Sequence, residues 1–250
     1  MDKNLNRDNW RNISFTAEFD KSRQFYIEML PANFDRHKEY CVAIGLHGHG
    51  SDRHQFILDP RGECAAFREF VKKHNIIAVS PDYRATTSWM GPAAETDVVQ
   101  IIKIIKKRYK TSKFFLIGGS MGGTSALTFA VLHPNMVDGI TAMNPHANHV
   151  EYNNFQDAIA ASFGGTKEQV PHEYKKRSAE FFPEKLTMPL AITTGGKDII
   201  VPPQSMLRLI EKLKKFNGKV FHIHRPETGH ETAFEDAFTA MEFMYNSTTK

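Results

Sequence analysis

Cysteine is scarce in this 250-residue chain, which has only Cys41 and Cys64. That excludes a disulfide-stapled scaffold. Cys41 opens an apolar run and Cys64 falls in a helical pattern, so both read as small buried hydrophobes. Long apolar runs are missing too. None approaches the ~20 residues that span a bilayer. The opening "MDKNLNRDNWRNISF" lacks the apolar core of a signal peptide. A cytoplasmic location is expected, with a mature secreted form left open, and no membrane partner. A strong charge of one sign is also absent: 32 basic against 28 acidic residues gives a net charge of +4. Much of that excess sits in "KKRYK" and "KLKKF", each at a predicted helix end, where cations suit the macrodipole. No basic run is interleaved with aromatics for base stacking, so no nucleic-acid partner is expected. Repeats and low-complexity linkers are lacking as well. Ordinary globular composition, 41% hydrophobic and 24% charged, then points to one domain over 1–250.

What is present is alternation. Short apolar runs recur at 40–46, 76–80, 113–119, 139–144, 189–195 and 219–224. They are too continuous for one-sided strands and suit strands buried on both faces of a parallel sheet. Helical patterns lie between them at 63–74, 94–109, 121–133, 203–216 and 231–245. The alternation predicts a doubly wound, mostly parallel α/β sheet. Near the N-terminus, "NISFTAEF" and "RQFYIEMLP" alternate around "DKS" and predict an antiparallel hairpin at one sheet edge. Residues 145–188 have no strong strand run and read as short helices and loops, a cap or lid insertion.

The chemistry concentrates in "LIGGSMGGTSA", residues 116–126, where Ser120 stands among glycines between a strand and a helix. A serine hydroxyl is a poor nucleophile unless exposed and held beside a base. A sharp strand-to-helix turn exposes it, and the residues two before and two after must then be tiny, which gives G-x-S-x-G. Gly118-Gly119-Ser120-Met121-Gly122 fits that pattern. A phosphate-binding loop is the competing reading, but "GGSMGGTS" lacks the lysine of a P-loop and is not a clean G-x-G-x-x-G. If Ser120 is a nucleophile, an acid and a histidine should follow in that order. Asp198 in "GGKDIIVPP" and His230 in "PETGHETAF" each lie just beyond a predicted strand. Asp59, Asp82 and Asp97 precede Ser120 and break the order, and His222 and His224 fall inside a strand. Backbone N–H groups of Met121 and of the His49 loop, "LHGHGSD", are the expected oxyanion donors. His47, His49 and His54 suit a tight turn better than a metal cluster. Trp89, Met90, His146 and Phe163 are expected pocket walls.

These stretches, with "SPDYRATTSWMGPAAETDVVQII" and "TGHE", resemble the α/β-hydrolase superfamily. From about residue 40 onward the chain is similar to the prolyl-oligopeptidase-like catalytic domain and its stand-alone esterase relatives. The resemblance implies the α/β-hydrolase fold and a triad of Ser120, Asp198 and His230. It implies no metal or organic cofactor. In the oligopeptidases a tyrosine often follows the glycine of the oxyanion loop; here that place holds His49. No β-propeller sequence precedes the domain, and no acidic pair for a peptide amino terminus stands out. The dienelactone hydrolases share the fold but carry cysteine as nucleophile. The expected activity is therefore hydrolysis of a small carboxylic ester through an acyl-enzyme. A small peptidase or amidase, or a non-catalytic ligand-binding module on the same fold, remain the alternatives.

Overall fold

Valine, isoleucine and phenylalanine fill the apolar runs on both faces, and runs of that kind become strands covered from two sides. The structure is a computed structural model and describes residues 10–249; residues 1–9, most of the stretch read above for a leader, lie outside it. The strands are β1 (Trp10–Thr16), β2 (Arg23–Met29), β3 (Tyr40–Leu46), β4 (Ile77–Pro81), β5 (Thr111–Gly119), β6 (Gly139–Met143), β7 (Leu190–Gly195) and β8 (Val220–Arg225). They form one sheet in the order β1-β2-β4-β3-β5-β6-β7-β8. β1 and β2 are the antiparallel hairpin, with Trp10 opposite Met29 and Thr16 opposite Arg23. β2 then runs antiparallel to β4, and every later pairing is parallel.

The helices are α1 (Gln55–Leu58), α2 (Gly62–Lys73), α3 (Pro92–Arg108), α4 (Met121–Leu132), α5 (Gln156–Phe163), α6 (Pro171–Lys176), α7 (Gln204–Leu213) and α8 (Phe234–Thr249). α3 starts cleanly because Pro92 opens it after an extended Gly91, and it ends on Lys106, Lys107 and Arg108. α8 begins three residues later than its pattern predicts, because Glu231 to Ala233 stay in the loop that leaves His230.

Strand alternation sorts the core into two layers. Val42, Ile44, Leu46 and Leu116 face α3, α4 and α7, while Ala43, Phe115 and Ile117 face α2 and α8. Each fully buried Leu, Ile or Phe side chain contributes roughly 1.5–3 kcal/mol. α4 is buried from Met121 to Val131, which its nearly continuous apolar and small residues allow. β8 departs from the two-faced expectation: its residues are half-buried or exposed, because it is the last strand of the sheet.

Residues 145–188 link β6 to β7 through α5, α6 and two short 3-10 turns. The buried Arg177 ties this segment to the body. It donates to the Met90 carbonyl at 2.6 Å and pairs with Glu95 at 2.7 Å and Glu173 at 3.1 Å.

Candidate active site

β5 passes into α4 with Ser120 alone between them. Its backbone has φ +57° and ψ −125°, a conformation that costs a non-glycine residue roughly 1–3 kcal/mol. The surroundings hold it there: the Ser120 N–H donates to the Met143 carbonyl at 2.8 Å, and its carbonyl accepts the Thr124 N–H at 3.0 Å. The glycine spacing follows from this turn. A Cβ on Gly118 would stand 2.3 Å from the Gly122 carbonyl carbon, and one on Gly122 would stand 1.9 Å from the Leu46 oxygen. A Cβ on Gly119 would meet only the Glu63 side chain, at 4.0 Å.

Another glycine pair brings the acid to the histidine. A Cβ on Gly195 would lie 2.1 Å from the Gly229 oxygen, and one on Gly196 would lie 2.4 Å from the Pro226 oxygen. The loops after β7 and β8 therefore touch backbone to backbone. Asp198 is buried, and its Oδ1 accepts the N–H groups of Ile200 at 2.9 Å and Val201 at 2.8 Å. Its Oδ2 lies 2.6 Å from His230 Nδ1. His230 Nε2 lies 2.8 Å from Ser120 Oγ. With Nδ1–H donating to the carboxylate, Nε2 of the neutral ring is free to accept from the serine hydroxyl.

Above the serine lies the loop that follows β3. A Cβ on Gly48 would stand 3.7 Å from the Ser120 Cβ, so the loop passes directly over Ser120. Four contacts fix it. Gly48 N–H donates to Gln55 Oε1 at 2.7 Å, and Gly50 N–H donates to the Thr86 carbonyl at 2.8 Å. Tyr83 donates its hydroxyl to the His47 carbonyl at 2.5 Å, and the His47 ring lies 2.9 Å from the Asp82 carbonyl. Opposite, Met121 is the first residue of α4, so its N–H has no partner within the helix. The His49 ring packs at a tilt against both Phe155, at 4.3 Å, and Trp89, at 5.9 Å. Burial, with the neighbouring His47 adding to it, holds the His49 ring below the usual histidine pKa, which favours its neutral form.

Ser120 and His230 open onto a cavity of about 200 Å³, lined also by Gln55, Glu63, Asn144, Phe155 and Ile200. The walls expected from sequence need correction. Trp89 is fully buried one layer back, touching the cavity-lining Phe155 at 5.7 Å. Met90 is also fully buried and offers its carbonyl to Arg177. Phe163 packs against His149 and Tyr174. His146 stacks on Tyr152 at 4.1 Å beside a neighbouring groove. Loops bring Phe155, Ile200 and Asn144 there instead. Phe155 sits at φ +55° just before α5, and nothing in its sequence neighbourhood marks such a place. Among the described residues no group of three or more His, Cys, Asp or Glu is placed to hold a metal ion, and no helix is long and apolar enough to cross a membrane.

A mostly parallel sheet wrapped by helices on both faces, with a serine on a strained strand–helix turn and a histidine and an acid on later strand-end loops, defines a class of fold and site. The family model described as alpha/beta hydrolase fold matches residues 21–186, and the chain belongs to that family. No curated protein matches it in sequence. Solved structures share the fold. A dipeptidyl aminopeptidase IV-like protein from Bacteroides ovatus is 19% identical over 95% of this chain and 35% of that one, with TM-score 0.73. The chain thus spans about a third of that protein's length. The fluorophosphonate-binding serine hydrolase FphF of Staphylococcus aureus is 16% identical over 94% of this chain and 97% of that one, with TM-score 0.70. The esterase Pf2001 of Pyrococcus furiosus is 18% identical over 96% and 93%, with TM-score 0.68.

Proposed function

We propose that the protein is a serine hydrolase that cleaves small carboxylic esters, with Ser120 as nucleophile, His230 as base and Asp198 as the acid. The observation that carries this reading is the continuous hydrogen-bonded chain: Ser120 Oγ at 2.8 Å from His230 Nε2, and His230 Nδ1 at 2.6 Å from Asp198. In that reading Ser120 attacks the ester carbonyl as His230 takes its proton. Asp198 fixes the imidazole tautomer and stabilises its cation. The N–H groups of Met121 and His49 hold the oxyanion. His230 returns the proton to the departing alcohol, and water then cleaves the acyl-enzyme by the same route. A cavity of about 200 Å³ supports a short acyl group and a small alcohol over an extended peptide.

The test has two parts. A fluorophosphonate should label wild type and not Ser120→Ala, and Ser120→Ala should lose roughly 10⁴–10⁶ in ester turnover. Then kcat/KM for a short-acyl p-nitrophenyl ester should exceed that for every member of an aminoacyl p-nitroanilide series. Ser120-dependent anilide cleavage at rates matching the ester would replace the esterase reading with the peptidase one. No labelling and no turnover would leave a ligand-binding module.

A further inference from the structure

Asp198 holds His230 only as well as its own loop is held. That loop, residues 198–202, is exposed at its tip, where Ile199 is 84% exposed and Ile200 42%. The N–H groups of Ile200 and Val201 grip the Asp198 carboxylate. The carbonyls of the same stretch point the other way, toward the segment between β6 and α5. The Tyr152 hydroxyl donates to the Ile200 carbonyl at 2.9 Å. The Asn154 amide donates to the Ile200 carbonyl at 2.8 Å and the Ile199 carbonyl at 3.2 Å.

Tyr152 is itself well fixed. It is 6% exposed, and its ring stacks on His146 at 4.1 Å and lies 5.7 Å from Trp89. Its carbonyl accepts from Lys167 Nζ and from Gln156 Nε2. A rigid aromatic anchor thus grips one side of a short peptide run whose other side grips the acid. Resting on the serine-hydrolase reading above, we propose that Tyr152, with Asn154, is a positioning residue: it holds the 199–201 backbone so that its N–H groups keep Asp198 aimed at His230. Without the Tyr152 hydroxyl, the Ile200 carbonyl would keep only the exposed Asn154 amide as a donor, and its peptide plane would be free to tilt. The N–H of Val201 belongs to that plane, so Asp198 would lose one of its two donors.

The test is a double-mutant cycle read on Ser120 labelling. Tyr152→Phe keeps the ring and its stacking and removes only the hydroxyl. In the wild-type background it should lower the second-order rate of fluorophosphonate labelling about tenfold, and in an Asp198→Asn background less than twofold, since the acid's contribution is already gone there. For a p-nitrophenyl ester, kcat should fall by the same factor with KM within about twofold. Asn154 is exposed, so its variants should keep the fold. Asn154→Asp should label more slowly than Asn154→Ala, because a carboxylate would face two carbonyl oxygens. An equal loss from Tyr152→Phe in both backgrounds would mean general loosening and overturn the proposal, as would no loss in either. Wild type that fails to label would overturn the hydrolase reading and this one together.

Discussion

At the scale of single residues, the least usual choice is His49. Its neighbours in the turn are glycines, so its N–H is aimed by the backbone while its ring is free to pack. The ring packs at a tilt against Phe155, and its Nδ1 is buried without a hydrogen-bond partner. Burial disfavours its charged form, so in the proposed reaction the ring is poorly suited to bring positive charge to the oxyanion. His49→Ala should therefore cost less than the roughly 10²–10³ in kcat expected on losing an oxyanion donor. His49→Phe, which keeps an aromatic ring against Phe155, should stay within about threefold of wild type. Steady-state kinetics on a short-acyl ester decides this. A drop in kcat of a hundredfold or more in both variants would make the imidazole itself the donor.

At the scale of elements, the β5–α4 turn is held by steric demands that differ between Gly119 and Gly122, on either side of Ser120. Gly122 packs its backbone on β3, with no room for a methyl group against the Leu46 carbonyl. Gly119 has space. Gly122→Ala must push α4 away from the sheet, at a cost of about 3 kcal/mol. That corresponds to a fall in Tm of about 10 °C, whereas Gly119→Ala should shift Tm by no more than about 2 °C. Calorimetry on the two variants measures the contrast, and equal shifts would contradict the packing described.

At the scale of the whole molecule, Glu180 is where the 145–188 segment joins α7. It is 5% exposed and accepts from Arg208 at 2.8 Å, Lys212 at 3.1 Å and Asn148 at 2.9 Å. Burial alone would raise its pKa, but the hydrogen bonds from Arg208, Asn148 and Lys212 outweigh it and bring the value from 4.5 down to about 2. A depressed acid stabilises the fold fully above its unfolded pKa. That stability is lost as pH falls from about 4.5 toward about 2. With solvent reaching Arg208, the contribution at neutral pH is on the order of 2 kcal/mol. Glu180→Gln should then lower Tm at neutral pH by about 5 °C. It should also flatten the loss of Tm between pH 4.5 and 2, as thermal melts across that range would reveal.

The order of residues alone is enough to read the strand and helix order, the edge hairpin, and the place of Ser120. These rest on local rules: two-faced apolar runs, helical periodicity, and glycines demanded by one tight turn. It also nominated Asp198 and His230, because an acid and a histidine stood just past two strands. Their meeting was decided only in the tertiary structure, by Gly195 and Gly196 pressing on the loop after β8 across 30 or more residues of chain. The cavity walls were decided there too. Trp89, Met90, His146 and Phe163 are large and apolar or aromatic enough to suggest a pocket, yet burial behind Phe155 and within the 145–188 segment withdrew them from it. Gln55, Asn144 and Tyr152 carry no motif. Their contacts come from backbone groups that neighbouring loops present, and no periodicity along the chain records which loops will meet.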